Sequence, residues 1–293
     1  MKEIFTCILF TLFIPFLAGQ KTESFITESD IALFYEQGYL LKKQSFSVAE
    51  VKALSEKTTK ALDRAFSEIE KLDKSFDSTC YIDGSRVVFT KKEDQTISIN
   101  RINGIGGMEP NFLQIGRSEK MLRTFFSLLQ TKDLEHLILQ IHPKMPGDGV
   151  SYPKHRDIQF RKSFDPDWQD VLGNGSYAIC LILIDPMTKE NGGLWIDKSS
   201  YPTSLGEKEE IVWIEAEAGD LLFMHPYLLH GSGPNHSSLS RRVLLTGFCA
   251  FGANHKPYPG ADVNMRAILQ ENDTLWIEKA PWKEDCCLLE GHH

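Results

Sequence analysis

Gly219-Asp220-Leu221-Leu222-Phe223-Met224-His225-Pro226-Tyr227-Leu228-Leu229-His230-Gly231-Ser232-Gly233-Pro234-Asn235 reads as an apolar strand that runs through a turn and ends in a histidine among small residues. The same design repeats around it. From Leu134 onward, short apolar or alternating runs are separated by Gly, Pro, Asn and Asp: Leu137 to Ile141, Tyr177 to Ile184, Leu194 to Ile196, Ile211 to Ile214, Asp220 to Met224 and Val243 to Phe248. Short strands broken by turn residues are the pattern of an antiparallel sandwich or barrel.

Upstream the period is helical. Thr27 and Asp30 occupy capping-box positions ahead of Ile31, Leu33, Phe34 and Tyr35, and Gly38 closes that helix, with Tyr39 to Leu41 expected as a strand. Ser47 with Glu50 opens a long amphipathic helix whose apolar face runs Val51, Leu54, Leu62, Phe66, Ile69 and Leu72. A third helix is expected around Met121 to Leu129, after the polar, Gly-rich stretch Asn103 to Gly107. Helices first and strands afterwards predict an α+β fold with a mainly β core, a double-stranded β-helix or jelly roll with supporting N-terminal helices.

The 293 residues are 42% hydrophobic, enough for a sizeable core, and the net charge of -8 comes with no basic stripe, which excludes nucleic acid as a partner. Nothing points to an obligate protein partner. Cys7, Cys80, Cys180, Cys249, Cys286 and Cys287 form no Cys-x-x-Cys pair and no framework spacing, so neither structural zinc nor a disulfide scaffold is indicated. Residues 1–19, with Lys2, an apolar run and Ala18-Gly19, read as a secretory signal, which would make the protein extracytoplasmic. The alternative is a buried or membrane-associated N-terminal helix, and for localisation a cytoplasmic protein. Beyond Ala253, Pro257, Pro259, Pro281, Trp276 and Trp282 suggest a loop-rich extension over 254–293, packed on the domain or partly disordered, with a short helix near Met265 to Leu269. Cys286, Cys287, His292 and His293 read as an exposed tail.

Chemistry centres on His155-Arg156-Asp157, because residues two apart on an extended segment share a face and bring an imidazole and a carboxylate to one ion. A lone His-x-Asp among nine histidines is weak and needs a third ligand. His230 supplies the candidate, its small neighbours leaving room for a ligand; otherwise it is a surface histidine at a Gly-rich turn. Two histidines and one carboxylate form a facial triad with open positions, the set suited to non-haem iron(II). Arg241 enters the apolar run Val243 to Phe248, where a guanidinium needs a buried anion such as the far carboxylate of a dicarboxylic acid. Arg242 is expected to point the other way. The alternative places both arginines on the surface. Lys144 is a candidate second contact for that carboxylate, against a solvated lysine in a Pro-Gly loop. His142 and His225 are expected as hydrogen-bonded structural histidines, and Phe160, Trp168 and Trp195 as pocket wall or core.

With those residues in view, the segment 25–253 resembles the phytanoyl-CoA dioxygenase family. The likeness is carried by the opening helix with Gly38-Tyr39-Leu40, His155-x-Asp157, Asn191-Gly192-Gly193-Leu194, Gly219-Asp220, and His230-Gly231-Ser232-Gly233-Pro234-Asn235 followed by Arg241. The resemblance implies a double-stranded β-helix and iron(II) ligation by His155, Asp157 and His230. It also implies 2-oxoglutarate bound by Arg241 with help from Ser232, and O2-dependent oxidation of a small-molecule substrate. Retention of Asp157 resembles the hydroxylating members rather than the halogenating ones. After Leu194 this chain has Trp195-Ile196-Asp197-Lys198-Ser199-Ser200 where the family commonly has a Pro-Gly-Ser-His turn, so a different rim is expected at the substrate site. The rival readings are a non-catalytic jelly-roll binding protein and a cupin-type metalloenzyme that needs no 2-oxoglutarate.

Overall fold

A computed structural model describes residues 25–72, 76–202, 209–260 and 263–280. The signal-like residues 1–19 and the tail with Cys286, Cys287, His292 and His293 lie outside them. In chain order the elements are α1 (Glu28–Gln37), β1 (Tyr39–Lys42), α2 (Val48–Glu70), β2 (Phe76–Ile82), β3 (Ser85–Lys91), β4 (Ile97–Asn103), α3 (Asn111–Gly116), α4 (Glu119–Leu129), β5 (Asp133–Lys144), β6 (Tyr152–His155) and α5 (Asp157–Phe164). Then follow β7 (Tyr177–Leu183), β8 (Leu194–Asp197), β9 (Ile211–Trp213), β10 (Leu221–Met224), β11 (His230–Ser232), β12 (Arg241–Ala250), β13 (Met265–Leu269) and β14 (Leu275–Lys279). Both expected capping boxes form, Thr27 with Asp30 and Ser47 with Glu50, and Gly38 ends α1 at φ 81.

The strands make two antiparallel sheets, a large one ordered β1-β10-β7-β12-β5-β4-β3-β2 and a small one ordered β6-β11-β8-β9. The large sheet lies between the helices and the small sheet, so its central strands are buried on both faces. That explains their unbroken apolar runs. On β7, Ala178, Cys180 and Ile182 pack with α4 residues such as Phe125, while Tyr177, Ile179, Leu181 and Leu183 pack towards Leu194 and Ile196 of the small sheet. Strand β12 divides the same way, Leu244 and Phe248 outward to the helices, Val243 and Leu245 inward. The Phe125 ring sits 4.6 Å from Phe248 in a tilted contact and 5.8 Å from Phe223 edge-on, which ties α4 to two strands.

Gly219-Asp220 staples the first helices to this sheet. The Gly219 carbonyl accepts from the amides of Ser45 and Phe46, and the buried Asp220 carboxylate accepts from the amides of Gln44 and Glu217. A side chain at Gly219 would meet the Phe46 carbonyl at 2.9 Å, and its φ of +91 already favours glycine.

Two expectations about element order are corrected. Strands β2, β3 and β4 precede most of the jelly roll, so the chain does not run helices first and strands afterwards. The signal was Asp83-Gly84, both at positive φ, the two-residue turn that joins Ile82 to Ser85 in a tight hairpin. The stretch Met265 to Leu269 is a strand rather than a short helix. Its residues favour helix, but β4 pairs with β5 only at Gln140 and Ile141, and the hairpin β13–β14 covers the edge at the other end of β5. Arg266 locks it there with two contacts to Asp133, at 2.8 and 2.5 Å.

On the outward face, Arg242 is 8% exposed and held in a fork by Asp185, Nε to Oδ2 and Nη2 to Oδ1 both at 2.7 Å, with further bonds to Ser55 and Thr59 of α2. Deleting the carboxylate strands a nearly buried cation. Asp185→Ala is therefore expected to cost roughly 3 kcal/mol in chemical denaturation, and a loss below about 1 kcal/mol would reduce the pair to a surface contact.

Candidate active site

His155 ends β6, Arg156 continues extended at φ -114 and ψ 134, and Asp157 is the first residue of α5. The alternation expected for His-x-Asp thus survives a change of element, and the helix N-terminus adds a favourable dipole for the carboxylate. On β11, His230 pairs directly with His155 across the ladder. Nε2 of His155 and of His230 lie 3.6 and 3.8 Å from Asp157 Oδ1, and one donor atom from each of the three residues lies within 4.8 Å of the others.

The backbone sets both imidazoles. Nδ1 of His155 donates to the Pro153 carbonyl at 2.6 Å and Nδ1 of His230 to the Leu228 carbonyl at 2.9 Å. A carbonyl only accepts, so Nδ1 carries the proton in each ring and the Nε2 lone pairs face the shared point. Burial raises the Asp157 carboxyl, but His230 and His155 outweigh it and hold the group below its usual range. Burial likewise keeps His230 below its ordinary value, whereas Asp157 raises His155 against the opposing effect of burial. Asp157 Oδ2 is buried with no hydrogen-bond partner. Two imidazoles that turn Nε2 to the shared point and a carboxylate with an orphaned oxygen fit a divalent cation.

Two residues along β11 from His230, and so on the same face, Ser232 accepts a 2.7 Å hydrogen bond from Lys144 Nζ. Lys144 is fully buried, which overturns the solvated alternative, and it also donates to the carbonyls of Gly192 (3.2 Å) and Gly233. Across the β5–β12 ladder it pairs with Arg241, whose Nη2 donates to the same Gly192 carbonyl at 3.0 Å and whose Nε has no partner. Neither arginine of the pair Arg241-Arg242 is a surface residue, and they face opposite sides as expected. Among the described residues no carboxylate forms an ion pair with Lys144 or Arg241. Burial and the neighbouring Arg241 bring Lys144 down to about 6, and burial brings Arg241 to about 10.

Gly192 makes this cluster possible. It sits at φ +78, and a Cβ there would meet the Gly233 carbonyl and Lys144 Cδ, each at 2.9 Å. Asn191 holds the turn by accepting from the Thr188 amide and donating to the Pro186 carbonyl. His142, stacked on Tyr152 at 5.1 Å, is pushed by burial to about 3 and stays neutral, and His225 sits among Phe34, Tyr35, Tyr201 and Tyr227 and is pushed to about 4. Neither belongs to the triad cluster, and His225 accepts from the Tyr227 amide as a structural histidine, but His142 lines the cavity with its Nε2 buried and without a hydrogen-bond partner, which corrects the expectation there.

The triad and Arg241 open into one cavity of about 470 Å³. Its floor is apolar, with Ile179, Leu181, Val243 and Leu245, and Phe160 stands half out of it with its ring 4.8 Å from His155. Trp168 lies behind this wall rather than in it, and the Trp195 indole covers Gly231, where a Cβ would meet it at 2.5 Å. Residues 195–200, where a different rim is expected, do not line the cavity; Leu194, just before them, does. Asp197 instead accepts hydrogen bonds from Ser199 and from the Glu210 amide, turning the chain away. The sequence reading missed Arg86, Arg101, Tyr152 and Arg161 in the lining; the spacing Asp157 to Arg161, four apart on a helix, was the available signal.

The sequence pattern of the family described as phytanoyl-CoA dioxygenase (PhyH) matches residues 34–243. A phytanoyl-CoA dioxygenase of Arabidopsis thaliana is 23% identical over 259 residues, covering 74% of this chain and 87% of that protein. Phytanoyl-CoA dioxygenase 1 of Oryza sativa subsp. japonica is 21% identical, with 75% and 87% covered. Among solved structures, EctD from S. alaskensis with 2-oxoglutarate and 5-hydroxyectoine superposes with a TM-score of 0.61 at 17% identity, covering 84% of each chain. SnoK, a non-haem α-ketoglutarate-dependent carbocyclase from nogalamycin biosynthesis, gives 0.59 at 14% identity, with 83% of this chain and 91% of its own covered. At these identities the two structures establish the shared fold.

The geometry makes metal binding directly measurable. Asp157→Asn keeps the shape but removes the charge that balances a cation, so titration of manganese(II) by electron paramagnetic resonance is expected to show a loss of about 100-fold or more in affinity while the protein stays folded. Unchanged affinity would remove Asp157 from the ligand set.

Proposed function

Because the chain belongs to the phytanoyl-CoA dioxygenase family and is a non-haem iron, 2-oxoglutarate-dependent dioxygenase, we propose that His155, Asp157 and His230 hold the iron(II) and that Arg241, Lys144 and Ser232 hold the far carboxylate of 2-oxoglutarate. The reaction is hydroxylation of a C–H bond in a small organic substrate. When bound, iron(II) and 2-oxoglutarate supply the oxidising chemistry, in which O2 is consumed, the cosubstrate leaves as succinate and CO2, and one oxygen atom passes to the substrate.

The observation that carries this reading is the placement of His230 and Ser232 two residues apart on one face of β11. Two residues of strand span about 6.6 Å, a reach that suits a five-carbon dicarboxylate anchored at the triad and at the Lys144–Arg241 pair. Those two buried basic groups lack a carboxylate partner among the described residues, so an arriving dicarboxylate meets donors already in place. Gly192 and Gly233 fix Lys144 through their carbonyls, and the apolar floor excludes water from the space beside the triad. Asp157 as the carboxylate member of the triad supports oxygen transfer rather than halide transfer.

Anaerobic addition of iron(II) and 2-oxoglutarate is expected to give a visible charge-transfer band, followed by succinate when O2 is admitted. His155→Ala should abolish the band and Arg241→Ala should weaken it by raising the 2-oxoglutarate requirement about 100-fold. Tight iron binding with neither band nor succinate would instead support the non-catalytic binding protein.

The affinity for 2-oxoglutarate should also depend on pH. Arg241, at about 10, stays charged near neutrality, whereas Lys144 at about 6 loses its proton in the empty site as pH rises. The anion favours the ammonium, which also matches all three oxygen acceptors around Nζ, so binding takes up a proton above pH 6. Affinity is expected to fall as pH rises from 6 to 8, by up to about tenfold per unit, and Lys144→Met should flatten the profile. A flat wild-type profile would show Lys144 charged, or neutral, in both states.

A further inference from the structure

The cavity has a second cationic end that neither the triad nor the Lys144–Arg241 pair uses. Helix α5 turns Asp157, Phe160, Arg161 and Phe164 to the cavity, the i, i+3, i+4, i+7 positions of one face. Arg161 is 3% exposed, its Nη1 is buried with no hydrogen-bond partner, and among the described residues it forms no ion pair. Its guanidinium carbon lies 4.9 Å from the ring centres of both Phe164 and Tyr258 and 6.0 Å from that of Trp168. Opposite, Arg86 of β3 and Arg101 of β4 line the same cavity; Arg86 pairs with Asn103 and Val88 with Arg101, which puts both arginines on one face of the hairpin. Asn103 Oδ1, also in the wall, is buried and unpaired.

A buried guanidinium with an open donor and no anion is unfavourable unless a ligand completes it. Aromatic rings packed against the guanidinium leave its N–H edge as the free feature, and that edge matches a planar carboxylate in the plane of the fork. Resting on the dioxygenase reading above, we infer that the substrate is a compact carboxylic acid whose carboxylate is bound by Arg161, with Arg86 and Arg101 adding positive potential from the facing hairpin. Arg161 follows the triad residue Asp157 by four helical residues, about 6 Å along the axis, so the carbon that is oxidised lies only a few bonds from the carboxylate. The cavity of about 470 Å³ also has to hold the cosubstrate, which keeps the acid small.

The test uses the full chain loaded with manganese(II) in place of iron and saturated with 2-oxoglutarate, so that the Arg241 end is filled. Short aliphatic and aromatic monocarboxylic acids are screened by thermal shift and calorimetry, each beside its primary amide and the matching phosphate monoester. The expected result is binding of acids in preference to amides and phosphates. That binding should weaken about 10–100-fold in Arg161→Gln and by less in Arg161→Lys, which keeps the charge but loses the fork. The 2-oxoglutarate affinity of both variants should match wild type, which also shows that they fold. Acids that bind no better than their amides, or a wild-type Kd in Arg161→Gln, would overturn the inference, and preference for the phosphates would replace the carboxylate with a phosphorylated substrate. Failure of the dioxygenase reading is separable, because it shows as absent 2-oxoglutarate binding, while dependence of the acids on Arg161 and not on Arg241 is still read.

Discussion

Strand β12 is buried on both faces, and that constraint governs the rest of the molecule. Every residue on it must be apolar or arrive with partners, and its polar members show how each is accommodated. Thr246 bonds to His136 and to the Gly116 carbonyl, and Arg242 is neutralised by Asp185 against α2. Arg241, one residue earlier, faces the inner side and is left with a carbonyl and an unpaired Nε. The contrast between these neighbours separates a cation neutralised within the fold from one left without an anion among the described residues. Because β12 pairs with β5, the same register sets Lys144 opposite Arg241.

The triad depends on a similar economy of backbone. One ladder of the small sheet aligns His155 with His230, two carbonyls choose their tautomers, and the first residue of α5 adds the carboxylate. No long side-chain network is required to hold the rings, since the strands that position them also orient them. His230 and Ser232 then carry that order from the triad to the buried Lys144 along a single short strand.

Much of this was legible from residue order. The alternating strands after Leu134 and the caps of α1 and α2 declare themselves through spacing, because period and turn chemistry are local properties, whereas the three triad residues and Arg241 were candidates that the family resemblance brought together. Lys144 was legible as a candidate but not as a buried one, since its burial comes from Gly192, Ser232 and Gly233, which lie far along the chain. The hairpin β13–β14 was hidden for the same reason: Met265 to Leu269 has helical composition, and only the open edge of β5 makes it a strand. Arg86, Arg101 and Arg161 look like ordinary surface arginines in sequence. Their common cavity exists only after β3, β4, α5 and the segment carrying Tyr258 have come together.

That division of the cavity bears on how such a protein changes over generations. The triad and the Lys144–Arg241 pair sit on jelly-roll strands and at the start of α5, where a shift in register would break the sheet core. The opposite wall is assembled from β3 and β4 towards one edge of the large sheet, the later turns of α5 and the Tyr258–Pro259 segment, away from the β5–β12–β7 and β6–β11–β8 ladders. Mutations can accumulate on that wall and alter which molecules are accepted while the oxidising machinery is inherited intact. Selection for a new substrate would therefore leave its record in the hairpin and the C-terminal wrap before it touched the motifs by which the family is known.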